Sequence, residues 1–212
     1  MDDVLRDRLI KILEERFSGD SSGHDLQHTL RVYRLSMTIH ESEGGDMDII
    51  QLASLLHDVD DRKLFEQGNE PFAVTTMRNL CCDENTISKV IGIINKISFK
   101  GTDTEIPDSL EGRIVQDADR LDAICAIGIA RAFAYGGNKC RCMHNPDEKP
   151  QLDMDSEKYF SNKGTTVNHF YEKLLLLKNM MNTETGRRLA EDRHSYMKGF
   201  LEEFFEEWNG KK

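Results

Sequence analysis

The chain has 212 residues, a length that fits one domain with a single sizeable core. It carries 28 basic and 38 acidic side chains, and the net charge of −10 disfavours binding to long nucleic acids or anionic membranes. A small phosphorylated substrate stays compatible with this charge, because a metal ion and a few nearby cations can set the potential of one cleft.

The cysteines and the N-terminus predict the cellular compartment. The five cysteines lack a disulfide-like spacing, and the first residues lack the basic region and apolar stretch of a signal peptide. No apolar run approaches the length of a transmembrane helix. We therefore expect reduced thiols, a cytoplasmic location and no membrane partner. The sequence does not fix the oligomeric state.

Apolar residues recur at helical spacing along most of the chain, and no segment shows the alternation of a strand. The predicted helices cover residues 4–17, 25–42, 46–56, 70–81, 83–98, 107–135, 165–182 and 184–208. Residues 136–164 show no periodicity, and a loop of that length is either a lid over substrate or a disordered segment. The pattern predicts an all-α fold, with residues 1–212 forming a single domain.

The helix predicted over residues 46–56 is apolar nearly all round, which is typical of a buried helix. It leads directly into His57 and Asp58. A carboxylate delivered by a buried helix needs a cation or hydrogen-bond donors to offset its desolvation. This pair therefore indicates a metal site, and the alternative is a helix end that simply leaves the core.

Two further predicted core helices carry residues of the same chemistry. His28 lies on an amphipathic helix, and Asp119 lies among the apolar residues Ile114, Val115, Ala118 and Leu121. Two imidazoles and two carboxylates suit a first-row divalent metal with positions left for water. Such a metal lowers the pKa of its bound water and supplies a nucleophile at neutral pH.

These residues match a known family in their order and in their neighbours. The segments His28-Thr-Leu-Arg31-Val32, Leu55-Leu56-His57-Asp58 and Ala118-Asp119-Arg120-Leu121 resemble the HD-domain metal-dependent phosphohydrolase superfamily. Residues 127–136, 169–173 and 182–187 also resemble a subgroup of small bacterial and archaeal members. The resemblance implies an all-α HD-domain fold around one buried divalent metal, held by His28, His57, Asp58 and Asp119. Manganese is the first expectation for that metal, and iron, nickel, cobalt or magnesium are alternatives.

A base and several cations are candidates for the surroundings of the metal. Asp61 follows Asp58 by three residues and could orient or deprotonate water, although a capping or surface aspartate is the alternative. The subgroup with nucleotide hydrolase activity carries an acid and a lysine here, which favours roles for Asp61 and Lys63. Candidates for holding phosphate oxygens are Lys63, Arg31, Arg120 and Arg131, unless these arginines pair with nearby carboxylates.

The sequence also contains a second His-Asp pair, at His24 and Asp25. Asp25 stands where a helix begins and is more simply a cap. His24 lies four residues before His28 and would share its helical face, so it is either a substrate contact or structural.

The resemblance implies an enzyme that cleaves small nucleotides, with nucleoside triphosphate hydrolysed to monophosphate and pyrophosphate by metal-activated water. The alternatives are hydrolysis of monophosphates or cyclic nucleotides, or a non-catalytic regulator that binds metal or nucleotide. A two-iron oxygenase would need further histidine ligands that the sequence does not place. A zinc site at Cys140, Cys142 and His144 would have an unusual spacing and would lack a fourth ligand.

Overall fold

A computed structural model describes residues 1–18, 25–60 and 70–212 of the chain. Helices make up most of these residues, and none of the described residues lies in an extended strand. The all-α prediction is therefore confirmed. The chain divides into two compact units, and the border falls between Asp119 and Arg120. Unit 1 comprises residues 1–99 and 104–119, and unit 2 comprises residues 100–103 and 120–212. The single domain over residues 1–212 stays a prediction.

Unit 1 is built around one helix that is buried from its third residue to its end. Its helices are α1 (Asp3–Arg16), α2 (Leu26–Glu43), α3 (Met47–Leu56), α4 (Phe72–Asn79), α5 (Glu84–Ile97) and the first part of α6 (Leu110–Asp122). Every residue of α3 from Ile49 to Leu56 is buried, and α3 packs against α2 and α5. This confirms the buried helix that the apolar run predicts. The core it forms fixes the position of whatever follows Leu56.

Aspartate side chains cap the N-termini of several of these helices. The side chain of Asp25 accepts a hydrogen bond from the backbone N–H of His28 at 2.9 Å, and Asp46 accepts from Asp48 and Ile49. Asp2 and Asp83 cap α1 and α5 in the same way. These carboxylates satisfy N–H groups that have no partner within the helix. The prediction that Asp25 is a cap is confirmed.

Unit 2 contains the rest of α6, then α7 (Cys125–Asn138), α8 (Ser156–Ser161), α9 (Thr166–His169) and α10 (Glu184–Trp208). A π-helical turn at Phe170–Leu174 and a 3₁₀ turn at Leu177–Met180 separate α9 from α10. The helix α10 packs against α7. The ring of Phe170 stacks on Phe200 with centroids 5.9 Å apart, and Phe133 contacts both rings. Aromatic packing therefore joins α7, the π-helical turn and α10.

Two predicted helices are divided in the structure. The helix expected over residues 107–135 is wrong in its continuity, because α6 ends at Asp122 and α7 begins at Cys125. Cys125 has a φ of 72°, and a Cβ on Gly128 would lie 2.2 Å from the carbonyl oxygen of Ala123. The chain makes a tight turn there that needs a glycine. The helix expected over residues 165–182 is likewise replaced by α9, the π turn and the 3₁₀ turn.

The long aperiodic segment is tied to the rest of unit 2 at several points. The carbonyl oxygen of Met154 accepts from the backbone N–H of Thr102 at 2.9 Å, and Ser156 donates to Asp103. The short helix α8 lies within the segment. Of the helices in the described parts of the chain, none combines the length and apolarity that crossing a membrane requires.

Candidate metal centre

Three helices of unit 1 bring the four predicted ligands to one place. His28 lies in the first turn of α2, where the Asp25 cap fixes the backbone. His57 follows the last residue of α3, and Asp58 lies in the turn behind it. Asp119 lies on α6. The polar residues are thus attached to helices whose other faces form the core.

The donor atoms of these residues are within contact distance of each other. The Nε2 atoms of His28 and His57 are 3.2 Å apart. The Oδ2 atom of Asp58 lies 3.3 Å from His28 Nε2 and 3.4 Å from His57 Nε2. The Oδ1 atom of Asp119 lies 3.5 Å from His28 Nε2 and 4.0 Å from His57 Nε2. The donor atoms of His28, His57 and Asp119 therefore lie close together, and Asp58 contacts both imidazoles.

The spacing of these atoms fits a metal ion. First-row divalent metals bind nitrogen and oxygen at about 2.1 Å, which puts neighbouring ligand atoms about 3.0–3.4 Å apart. Four of the five distances lie within 0.1 Å of that range or inside it, and only the pair of His57 and Asp119 is wider. Two buried imidazoles beside two carboxylates are also a donor set that a divalent cation stabilises. The cluster can hold a divalent metal.

The orientation of the His57 ring supports this arrangement. Its Nδ1 atom lies 2.9 Å from the backbone carbonyl oxygen of Ser54. A carbonyl oxygen only accepts, so Nδ1 is the donor and the neutral ring keeps its lone pair on Nε2. A second hydrogen bond of this kind is the usual companion of a metal-binding histidine.

The four residues differ in their exposure to solvent. His28 is fully buried, and His57 and Asp58 are buried as well. The side chain of Asp119 is 26% exposed, which makes it the most open of the four. Of the four side chains, Asp119 is therefore the one that solvent reaches most.

Side-chain hydrogen bonds also hold the segments next to the cluster. The side-chain amide of Gln116, three residues before Asp119, donates to the carbonyl oxygens of Lys96 and Glu105, each at 2.8 Å. This ties α6 to the end of α5. The carboxylate of Asp60 accepts from the backbone N–H groups of Phe72 and Ala73 at 2.7 and 2.9 Å. Asp60 thus caps the N-terminus of α4, although it lies 12 residues before Phe72 in the sequence.

The other predicted site residues fall into two groups. His24, Asp61 and Lys63 lie outside the described residues. The three arginines are described: Arg31 is half-buried on α2, one turn after His28. Arg120 is buried and donates to the carbonyl oxygen of Met180. Arg131 forms an ion pair with the buried carboxylate of Asp122 at 2.7 Å, which is the alternative that the sequence left open for these arginines.

The cysteine cluster does not form a metal site. Cys140 and Cys142 are exposed, and the ring of His144 packs against Phe205 and Trp208. Across residues 1–18, 25–60 and 70–212, the one group of three or more donors close enough to share an ion is His28, His57 and Asp119. Asp58 joins that group through its contacts with both histidines.

Sequence comparison agrees with the site. The HD domain profile matches residues 25–124, which include all four residues of the cluster. The chain belongs to the HD-domain family and is a metal-dependent phosphohydrolase. Relatives cover nearly the whole of it. A Bacillus subtilis protein, YpgQ, is 38% identical over 194 residues, which are 87% of this chain and 84% of that protein.

Solved structures have the same fold. A Lactobacillus plantarum protein is 33% identical, covers 99% of both chains and has a TM-score of 0.88. An HD-superfamily hydrolase from Bacillus thuringiensis is 40% identical, covers 96% of both chains and has a TM-score of 0.75. YpgQ in complex with ADP is 33% identical in the structural alignment, with a TM-score of 0.78 over 96% of this chain and 95% of that one.

Proposed function

We propose that the protein hydrolyses small nucleotides, with nucleoside triphosphates cleaved to monophosphate and pyrophosphate. The observation that carries this proposal is the convergence of two imidazole and two carboxylate donors in one half-open cluster. The choice of a nucleotide is supported by the complex of YpgQ with ADP. The choice of a triphosphate as substrate is supported by the resemblance of residues 127–136, 169–173 and 182–187 to the nucleotide-hydrolysing subgroup.

In this proposal His28, His57, Asp58 and Asp119 hold one divalent metal, with Mn²⁺ as the first candidate. A cation bound there would supply Lewis-acid activation of water and of a phosphate oxygen. The protein's own part is to keep the four donors fixed. His57 keeps its Nε2 lone pair facing the cluster through the bond from Nδ1 to Ser54. The buried positions of His28 and Asp58 exclude water from one side, so that substrate approaches beside Asp119.

Two residues beyond the end of α3 complete the proposed machinery. Asp61 would orient the attacking water and take its proton. Lys63 would bind phosphate oxygens, together with Arg31 on α2 and with His24 as a further substrate contact. These roles rest on position in the sequence. Arg120 and Arg131 are further candidates for the same task, although Arg120 donates to the carbonyl oxygen of Met180 and Arg131 pairs with Asp122.

A panel of nucleotides tests the proposal. The metal-loaded protein is incubated with nucleoside triphosphates, diphosphates, monophosphates and cyclic nucleotides in Mn²⁺, and products are identified by chromatography. The expected result is that triphosphates yield monophosphate and pyrophosphate. Release of inorganic phosphate from monophosphates, or opening of a cyclic nucleotide, would show that the protein cleaves a different phosphorus–oxygen bond. Binding of nucleotide without any turnover would identify the regulator instead. Asp119→Ala is the control, because it removes a ligand from the more open side.

The cytoplasmic location and the exclusion of long nucleic acids stay predictions from composition. Including single-stranded oligonucleotides in the panel tests the second of them.

A further inference from the structure

The last residue of α1, Arg16, contacts the turn that carries two of the proposed metal ligands. Its Nε and Nη2 atoms both donate to the backbone carbonyl oxygen of Val59, at 3.2 and 3.0 Å. Val59 follows Asp58 directly and is fully buried. Nothing in the sequence around Arg16 marks it as part of the site, and its partner lies 43 residues away.

The same guanidinium reaches α4. Its central carbon lies 4.5 Å from the centre of the Phe72 ring. The backbone N–H of Phe72 donates to Asp60, the residue after Val59. Arg16 therefore contacts the turn at Val59 and the first residue of the helix that Asp60 caps. The turn therefore has contacts with both α1 and α4.

The turn needs such support because of the geometry of adjacent ligands. Neighbouring residues on a regular α-helix point about 100° apart, so His57 and Asp58 converge on one ion only if it lies between their two directions or if the helix changes course there. The structure ends α3 at Leu56, and the next bond runs from the N–H of Val59 to the carbonyl oxygen of Leu56, a shorter loop than in an α-helix. Carbonyl groups at such a helix end have no partner within the helix. Arg16 supplies two donors to one of them, and its charge is favourable at this end of a helix.

We propose that Arg16 is a positioning residue of the metal site, which holds the turn in the conformation that directs His57 and Asp58 to the same ion. This inference rests on the ligand assignment proposed above. A lysine could supply only a single ammonium group where the guanidinium supplies two N–H groups in a fixed plane. Because the guanidinium contacts both the carbonyl oxygen of Val59 and the ring of Phe72, arginine fits this position better than lysine.

The test is the affinity for Mn²⁺, measured by isothermal titration calorimetry on metal-free protein, together with the melting temperature of the same samples. Arg16→Ala is expected to weaken Mn²⁺ binding about tenfold, as when a partner of a metal ligand is removed. Arg16→Lys should recover part of the loss. The control is Arg8→Ala, an exposed arginine on the same helix, which should bind Mn²⁺ like the wild type. Co²⁺-loaded Arg16→Ala should also show an altered visible absorption spectrum, because the ligand geometry changes.

A purely structural role for Arg16 would lower the melting temperature and leave the Mn²⁺ affinity unchanged, and that result would overturn the inference. If Arg16→Ala does not fold, the Mn²⁺ affinity of Arg16→Lys tests the inference instead. An affinity equal to that of the wild type would then contradict the positioning role of Arg16. Failure of the wild-type protein to bind any divalent metal is a different outcome. It removes the ligand assignment, and the role of Arg16 with it.

Discussion

The ring of His57 donates a hydrogen bond from Nδ1 to the carbonyl oxygen of Ser54, three residues earlier, over 2.9 Å. Because the acceptor is a backbone atom, no replacement of the Ser54 side chain removes it directly. The choice of nitrogen that faces His28, Asp58 and Asp119 therefore depends on the backbone of α3. The buried helix determines the chemistry of the ring that follows it.

Removal of the metal should lower the melting temperature of the wild-type protein, and addition of Mn²⁺ should raise it. A ligand that binds only the folded state adds about 2.7 kcal/mol at a concentration one hundred times its dissociation constant. Scanning calorimetry after dialysis against a chelator, with stepwise addition of Mn²⁺, measures this. Asp119→Ala should lose most of the increase, because it removes one of four donors. An equal increase in that variant would contradict the ligand role of Asp119.

Replacement of Asp60 should destabilise the protein through the start of α4. Asp60→Ala leaves the N–H groups of Phe72 and Ala73 without the carboxylate that accepts from them at 2.7 and 2.9 Å. Loss of a helix cap costs about 1 kcal/mol, within a range of about 0.5–2. Urea denaturation of the metal-free protein measures the change. Asp60→Asn keeps one acceptor oxygen and should be milder, so equal losses in both variants would argue against the cap.

His169 should remain neutral across the physiological pH range. Burial, together with the positive charges of Lys173 and Arg141, lowers the pKa of His169 to about 3. An ordinary histidine in the unfolded chain titrates near pH 6.5. Above that pH both states are neutral, and the residue adds no pH dependence. As the pH falls from about 6.5 towards 3, the unfolded state takes up a proton that the folded state refuses, so stability declines.

The measurement for His169 is urea denaturation at pH 7 and at pH 4.5. His169→Gln should lose less stability between these two values than the wild type does. A His169 imidazole resonance that shifts between pH 7 and pH 5 would contradict the prediction directly.

Two glycines of α7 should respond in opposite ways to alanine. A Cβ at Gly128 would lie 2.2 Å from the backbone carbonyl oxygen of Ala123, whereas one at Gly137 would meet no atom within 4 Å. Crowding of this kind costs about 1–3 kcal/mol. Gly137→Ala should be neutral or stabilise by up to about 1 kcal/mol, because alanine favours the helix. Thermal denaturation of both variants distinguishes them, and a stable Gly128→Ala would mean that the turn at residues 123–124 adapts.

Much of the molecule could be predicted from its sequence, and the reasons differ between parts. The apolar run before His57 predicted the buried α3, because only a helix in the core is apolar on all sides. The order of His28, His57, Asp58 and Asp119 predicted the cluster that the structure brings together. The position of Asp25 after a turn predicted its role as a cap.

Other features depended on contacts between distant residues. The break between α6 and α7 has no glycine or proline at residues 123–124, and it places Cys125 at a positive φ that local propensity disfavours. Tertiary structure overrides the helical periodicity there. The contact of Arg16 with Val59 could not be predicted from the sequence either. Its acceptor is a backbone carbonyl group, which every residue has, so no residue type indicates the contact.

On the ligand assignment proposed above, the burial of α3 would make metal occupancy a measure of packing in the hydrophobic core. His57 and Asp58 follow Leu55 and Leu56 with no intervening residue, and both leucines are fully buried. A change in packing at either leucine would move His57 and Asp58 with the helix, because no residue lies between Leu56 and His57. A dye that reports free Mn²⁺ would then reveal loosened packing in unit 1 before any helix is lost, and a collection of core variants could be ranked by metal retention alone.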